Sequence, residues 1–68
     1  MPTLKTKMLE LRKEKGLQQS ELAAPIGVRR ETISNLERGK YNPSLKLAMD
    51  IVKVFEKSVE EIFTFEED

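Results

Sequence analysis

Apolar residues recur along this chain at helical spacing, and glycines interrupt the pattern three times. Leu4, Met8, Leu9 and Leu11 share one face, and Gly16 follows Lys13 and Lys15, which places a stop and favourable charge at a helix C-terminus. The spacing predicts a second helix over 19–26, with Leu22 and Ile26 facing inward, and a third over 30–38, with Ile33 and Leu36 inward. Gly27 supplies the turn between them and Gly39 closes the third. After Tyr41-Asn42-Pro43-Ser44, in which Ser44 can act as a cap, a fourth helix is expected to bury Leu45, Ala48, Ile51, Val52 and Phe55. Ser58-Val59-Glu60-Glu61 has the form of a capping box and opens a short fifth helix through Ile62 and Phe63. The expected class is therefore all-α, a single domain over 1–68. One alternative stays open at the ends, where Thr3-Leu4-Lys5-Thr6 and the stretch from Phe63 to Phe65 alternate polar and apolar and can pair as short strands.

Against this pattern two residues are out of place. Arg29 and Arg30 stand at the start of the third helix, where the macrodipole repels cations. Something negative is expected to face them. The total charge at first argues otherwise, since 12 Lys/Arg balance 12 Asp/Glu and the pI is 6.3. The balance is uneven along the chain: residues 1–40 carry nine Lys/Arg against five Glu, while residues 41–68 carry three Lys against seven acids. One positive face on a neutral molecule is what polyanion binding requires.

Composition narrows the chemistry further. With 68 residues, the chain buries only about 60% of the surface its unfolded form exposes, so its core is small. It has no cysteine and no histidine, which removes disulfides, thiolate chemistry and the commonest metal ligands. Its carboxylates lie mostly on helix surfaces, and no nucleophile, base and oxyanion site can be assembled from what is present. No enzyme, metal, cofactor or small-molecule ligand is expected. There is no apolar run of membrane-spanning length and no signal-peptide core, so a cytoplasmic location is expected.

The order LRKEKGLQQSELA, IGV, ETISNLERGKYNPSL, LAMDIVKVF and SVEEIF resembles the Cro/repressor-type (Xre-like) helix-turn-helix family, and the resemblance covers nearly the whole chain. The short chain and its IFTFEED ending look most like the small cytolysin-repressor-type members. The resemblance implies a five-helix DNA-binding domain, with the helix-turn-helix at about 18–38. In this family the third helix lies in the major groove of double-stranded DNA. Carried over by position, Arg30, Glu31 and Asn35 would face base edges, with Thr32 and Ser34 beside them. Their side chains suit guanine, cytosine and adenine in turn. Gln18, Gln19, Arg29, Arg38, Lys40 and Asn42 would face phosphates. Arg12 and Glu37 match positions that form a partly buried ion pair, and Tyr41 with the Asn42-Pro43-Ser44 turn would fix the loop after the recognition helix.

The resemblance also implies a homodimer that places two recognition helices about 34 Å apart on a palindromic operator. Ile62, Phe63 and Phe65 crowd the segment at about 58–68 and form the candidate dimer surface, with Glu66, Glu67 and Asp68 ending in water. The leading function is a sequence-specific transcriptional regulator, a repressor that occupies an operator. The alternative from another class is a protein-interaction module, such as the antitoxin of a toxin-antitoxin pair. Adjacent Arg29 and Arg30 beside a polar Ser34-Asn35 face favour DNA. Two departures from the family pattern carry expectations of their own: Gln18 and Arg29 are poor caps where Ser or Thr is usual, and Pro25 is expected to bend or shorten the second helix.

Overall fold

The computed structural model describes residues 3–67. Its elements run β1 (Thr3–Thr6), α1 (Met8–Glu14), α2 (Gln19–Ile26), α3 (Arg30–Glu37), α4 (Leu45–Phe55), α5 (Val59–Ile62) and β2 (Phe63–Glu66). The architecture is five helices with a two-stranded antiparallel sheet, so the fold is mainly α and the strand pairing left open for the two ends is the form they take. Leu4 belongs to β1 and not to the first helix, although it stands four residues before Met8. Strand pairing wins over the local spacing. Thr3 pairs with Glu66, Leu4 with Phe65, Lys5 with Thr64 and Thr6 with Phe63, so the β-branched and aromatic residues of both ends support one ladder. The ladder is continued by the Lys7 amide, which donates to the Ile62 carbonyl at 2.9 Å. The Thr6 hydroxyl then accepts from the Met8 amide at 3.1 Å and starts α1.

The pleat sorts the side chains of this sheet. Leu4 and Phe63 are buried on one face, while Thr3, Lys5, Thr64 and Glu66 on the other are exposed. The fifth helix accordingly ends at Ile62, and Phe63 opens β2 instead of closing α5. The core gathers Met8 of α1, Leu22 and Ala23 of α2, Ile33 and Leu36 of α3, Leu47, Ala48, Ile51 and Phe55 of α4, and Ile62. Leu45 was expected among them, yet it is 76% exposed and Leu47 is buried in its place. Ser44 accepts from the Leu47 amide, which makes Leu45 the first residue of α4 and turns its side chain off the core-facing stripe.

Pro25 does not shorten α2. The helix runs through Ile26, and the Gly27 and Val28 amides both donate to the Ala23 carbonyl, at 2.9 and 3.2 Å. Glu21 and Pro25 are both exposed, so the carbonyl that loses its partner to the proline lies on the solvent side. Gly27 takes φ +83, a left-handed value that lets the chain reverse into α3. Gly39, at φ +70, is more constrained: a Cβ there would stand 2.7 Å from the Leu4 carbonyl oxygen. β1 thus presses directly on the turn that follows α3. The third helix ends at Glu37, with Arg38 as its cap residue instead of its last turn.

The capping box expected at Ser58 forms in full. The Ser58 amide donates to Glu61 at 2.8 Å, and the Glu61 amide donates to the Ser58 hydroxyl at 3.3 Å. The backbone hydrogen bond from Ser58, then its hydroxyl, hold the Glu61 carboxyl below its usual range against a small opposing effect of desolvation, with Lys57 and Lys7 adding attraction. A carboxyl depressed in the folded state stabilises the fold above its unfolded value. That contribution is lost as pH falls through the folded value. Ser58→Ala, which removes the hydroxyl but keeps the amide, is expected to lower the melting temperature at neutral pH and to undo only the smaller part of the Glu61 shift, both readable by melting curves and an NMR pH titration.

Candidate nucleic-acid interface

The second and third helices pack on each other through Leu22, Ala23, Ile33 and Leu36, all buried. Burying Ile33 and Leu36 on one side of α3 leaves Arg30, Glu31 and Asn35 exposed on the other, with Thr32 and Ser34 half-buried at its margins. These five residues therefore share one short helix that is anchored from behind. Arg29, Arg38, Lys40 and Asn42 are exposed around the two ends of this helix. Among the described residues, none of the three cations pairs with a carboxylate; the ion pairs present are Arg12–Glu37 and Lys46–Asp50.

The start of α2 is better closed than its sequence suggests, while that of α3 is as open as expected. Gln18 is extended at φ −82, ψ 162, and its amide donates to the Glu21 carboxylate at 2.8 Å, so α2 has half of a capping box despite a poor cap residue. Arg29 takes the same extended conformation, and no side chain caps α3. Its first turn keeps free amides beside two cations. Glu31 is the one acid in that turn.

Behind the surface lies an ion pair that the resemblance implied. Arg12 Nε donates to Glu37 Oε2 at 2.6 Å and Nη2 to Oε1 at 3.2 Å, with side chains only 11% and 5% exposed. Arg12 Nη1 also donates to the Leu17 carbonyl at 2.8 Å, so one guanidinium ties α1 to α3 and to the loop before α2. Gln19, expected at phosphates, also makes contacts within the protein. Its Nε2 donates to Glu37 Oε1 at 3.0 Å and its Oε1 accepts from Arg30 Nη1 at 3.1 Å, so both ends of the amide are engaged within the protein.

In the C-terminal segment Ile62 and Phe63 are 1% and 8% exposed and belong to the core, and Phe63 also lines the groove beneath Phe65. Phe65 is 59% exposed although its pairing with Leu4 puts it on the core-facing side of the sheet. It overhangs a groove of about 320 Å³ lined also by Leu4, Asn42, Pro43, Leu45, Ala48, Val59 and Phe63. No charged residue lines this groove. Leu45 and Val59 were missed as surface residues. The signal for Leu45 was available in α4, whose apolar positions are too many for one core-facing stripe. Asp68 lies outside the described residues.

Among the described residues, no helix is long and apolar enough to cross a membrane. A helix-turn-helix family model matches residues 8–62, from the first residue of α1 to the last of α5. A helix-turn-helix-type transcriptional regulator of Archaeoglobus fulgidus is 52% identical over 65 residues, covering 96% of this chain and 92% of its own. The restriction-modification controller protein C.AhdI of Aeromonas hydrophila superposes with a TM-score of 0.73 at 33% identity, over 81% of this chain and 83% of its own. SinR, a master regulator for biofilm formation solved in complex with DNA, superposes with a TM-score of 0.70 at 36% identity, over 79% and 87%. The fold and much of the sequence are thus shared with proteins of one kind, and this chain belongs to the helix-turn-helix family of DNA-binding transcriptional regulators.

Proposed function

We propose that this protein is a repressor that binds a palindromic operator as a homodimer, with α3 in the major groove. The reading is carried by one observation: Arg29, Arg30, Arg38 and Lys40 are all exposed around an anchored helix, with no carboxylate paired to any of them among the described residues. A phosphate backbone supplies the missing charge. Arg30, Glu31 and Asn35 read base edges, Thr32 and Ser34 flank them, and Gln18, Arg29, Arg38, Lys40 and Asn42 hold the backbone. SinR, solved with DNA, lends support by its similarity.

The uncharged groove at Phe65 takes a second copy of the chain. A two-fold axis through it brings apolar surface onto apolar surface without a clash of like charges, and two copies give the two recognition helices a palindrome needs. Selection of bound DNA from a random pool, at two salt concentrations, tests the whole reading. A palindrome is expected, and binding without sequence preference that vanishes with salt would leave only backbone electrostatics. Arg30→Ala is expected to cost about 1–3 kcal/mol and relax one operator position, while Lys40→Ala weakens all sites about equally and lowers the salt slope by about one.

A further inference from the structure

We infer that the turn after α3 couples association to DNA binding: a second copy seated in the groove at Phe65 fixes residues 39–43 and sets Lys40 on its phosphate, so each half of the dimer binds more tightly than the monomer. The inference rests on the dimer and the phosphate contact proposed above. Leu4, paired with Phe65, lines the groove and places its carbonyl oxygen 2.7 Å from where a Gly39 Cβ would stand. Asn42 and Pro43 line the same groove. Toward α3, the Gly39 amide donates to the Leu36 carbonyl at 3.1 Å and the Lys40 amide to the Asn35 carbonyl at 3.0 Å, so the turn begins as the closure of that helix. The groove and the DNA-facing helix thus share one short stretch of backbone.

That stretch is tied at its ends and loose between them. Beyond Lys40 the next tie is the Ser44 hydroxyl, which accepts from the Leu47 amide at 3.2 Å; among the described residues, Tyr41, Asn42 and Pro43 make no hydrogen bond within the protein. Lys40, Tyr41 and Asn42 are exposed. In the monomer, holding this segment against DNA costs conformational entropy that the phosphate contacts must offset. A copy that fills the groove holds Asn42 and Pro43 from one side and Leu4 from the other, so the segment is ordered before DNA arrives. Gly39 leaves no slack in the link, because its backbone already lies against β1 and a single added carbon would collide there.

Avidity alone predicts something different, since two independent halves strengthen binding to a whole palindrome but not to one half-site. The two are separated on a duplex of about ten base pairs that carries half of the selected palindrome, too short to meet a second recognition helix about 34 Å away. Labelled duplex at trace concentration is titrated with the full-length protein across the range in which sedimentation shows monomer giving way to dimer. Independent protomers give a simple hyperbola in protomer concentration. Coupling is expected to give a steeper curve, with the dimer binding the half-site about five- to tenfold more tightly than the monomer and with a salt slope larger by about one, the mark of a further phosphate contact. Lys40→Ala, checked for folding by melting curves and for association by sedimentation, is expected to restore the hyperbola. A hyperbola for wild type would overturn the inference while leaving the dimer and its DNA contacts in place. A Lys40→Ala curve that stays steep would overturn it too, since the gain would then pass through another contact. A wild type that stays monomeric throughout would overturn the proposed dimer, and the inference with it.

Discussion

Glu37→Ala is expected to destabilise the fold by about 3–5 kcal/mol, the cost of stranding a buried charge. Arg12 is 11% exposed and would keep only the Leu17 carbonyl as a partner for five guanidinium donors. Gln19 would lose the acceptor for its amide as well. A domain of 68 residues has about 3–10 kcal/mol of stability in total, so much of the variant population should be unfolded at 37 °C. Denaturant melting measures the loss directly. Replacing both members, as Arg12→Met with Glu37→Leu, is expected to recover part of it, because no unpaired charge remains. A single variant within 1 kcal/mol of wild type, roughly the worth of an exposed pair, would show that the pair behaves as a surface one.

Phe63→Ala is expected to cost a further class of energy, about 3–5 kcal/mol from lost burial and the cavity left behind. Phe65→Glu, two residues on, should hardly alter the stability of the monomer, since Phe65 is 59% exposed and Phe63 only 8%. Its effect is expected on association. Sedimentation at micromolar concentration without DNA should give a dimer for wild type and a monomer for Phe65→Glu, because a carboxylate in the Leu45–Val59 groove would be buried without a partner. A monomeric wild type would sink the preformed dimer. A dimer indifferent to Phe65→Glu would move the interface to another face.

Much of the site was legible because it depends on local chemistry. Ile33 and Leu36 are three apart, which alone puts Glu31 and Asn35 on the far side of the helix and Arg30 on its flank. Gly27 and Gly39 mark reversals that demand positive φ, and Ser44 and Ser58 announce helix starts through hydroxyls that find amides three residues on. Two errors came from the same rule applied too far. Leu4 and Leu45 satisfy helical spacing, yet one is drawn into a strand by Phe65 and the other is left outside by the packing of Leu47. The contacts of Gln19 within the protein were not legible for another reason. Its partners Glu37 and Arg30 lie 18 and 11 residues away, beyond any local pattern.

The sequence by itself determined the number and order of the helices, their caps and turns, and the placing of the cations around one polar helix, since each follows from spacing, φ and charge within a few residues. Only the tertiary structure decided what the two ends of the chain do. Pairing Thr3–Thr6 with Phe63–Glu66 needs contacts about 60 residues apart, and those contacts turn Phe63 inward, leave Phe65 over an open groove and press β1 against Gly39. It also decided which polar groups find each other in the interior. Arg12, Glu37, Gln19 and Arg30 come from three helices, and side chains that far apart in sequence meet only once the apolar core has set the helices against one another.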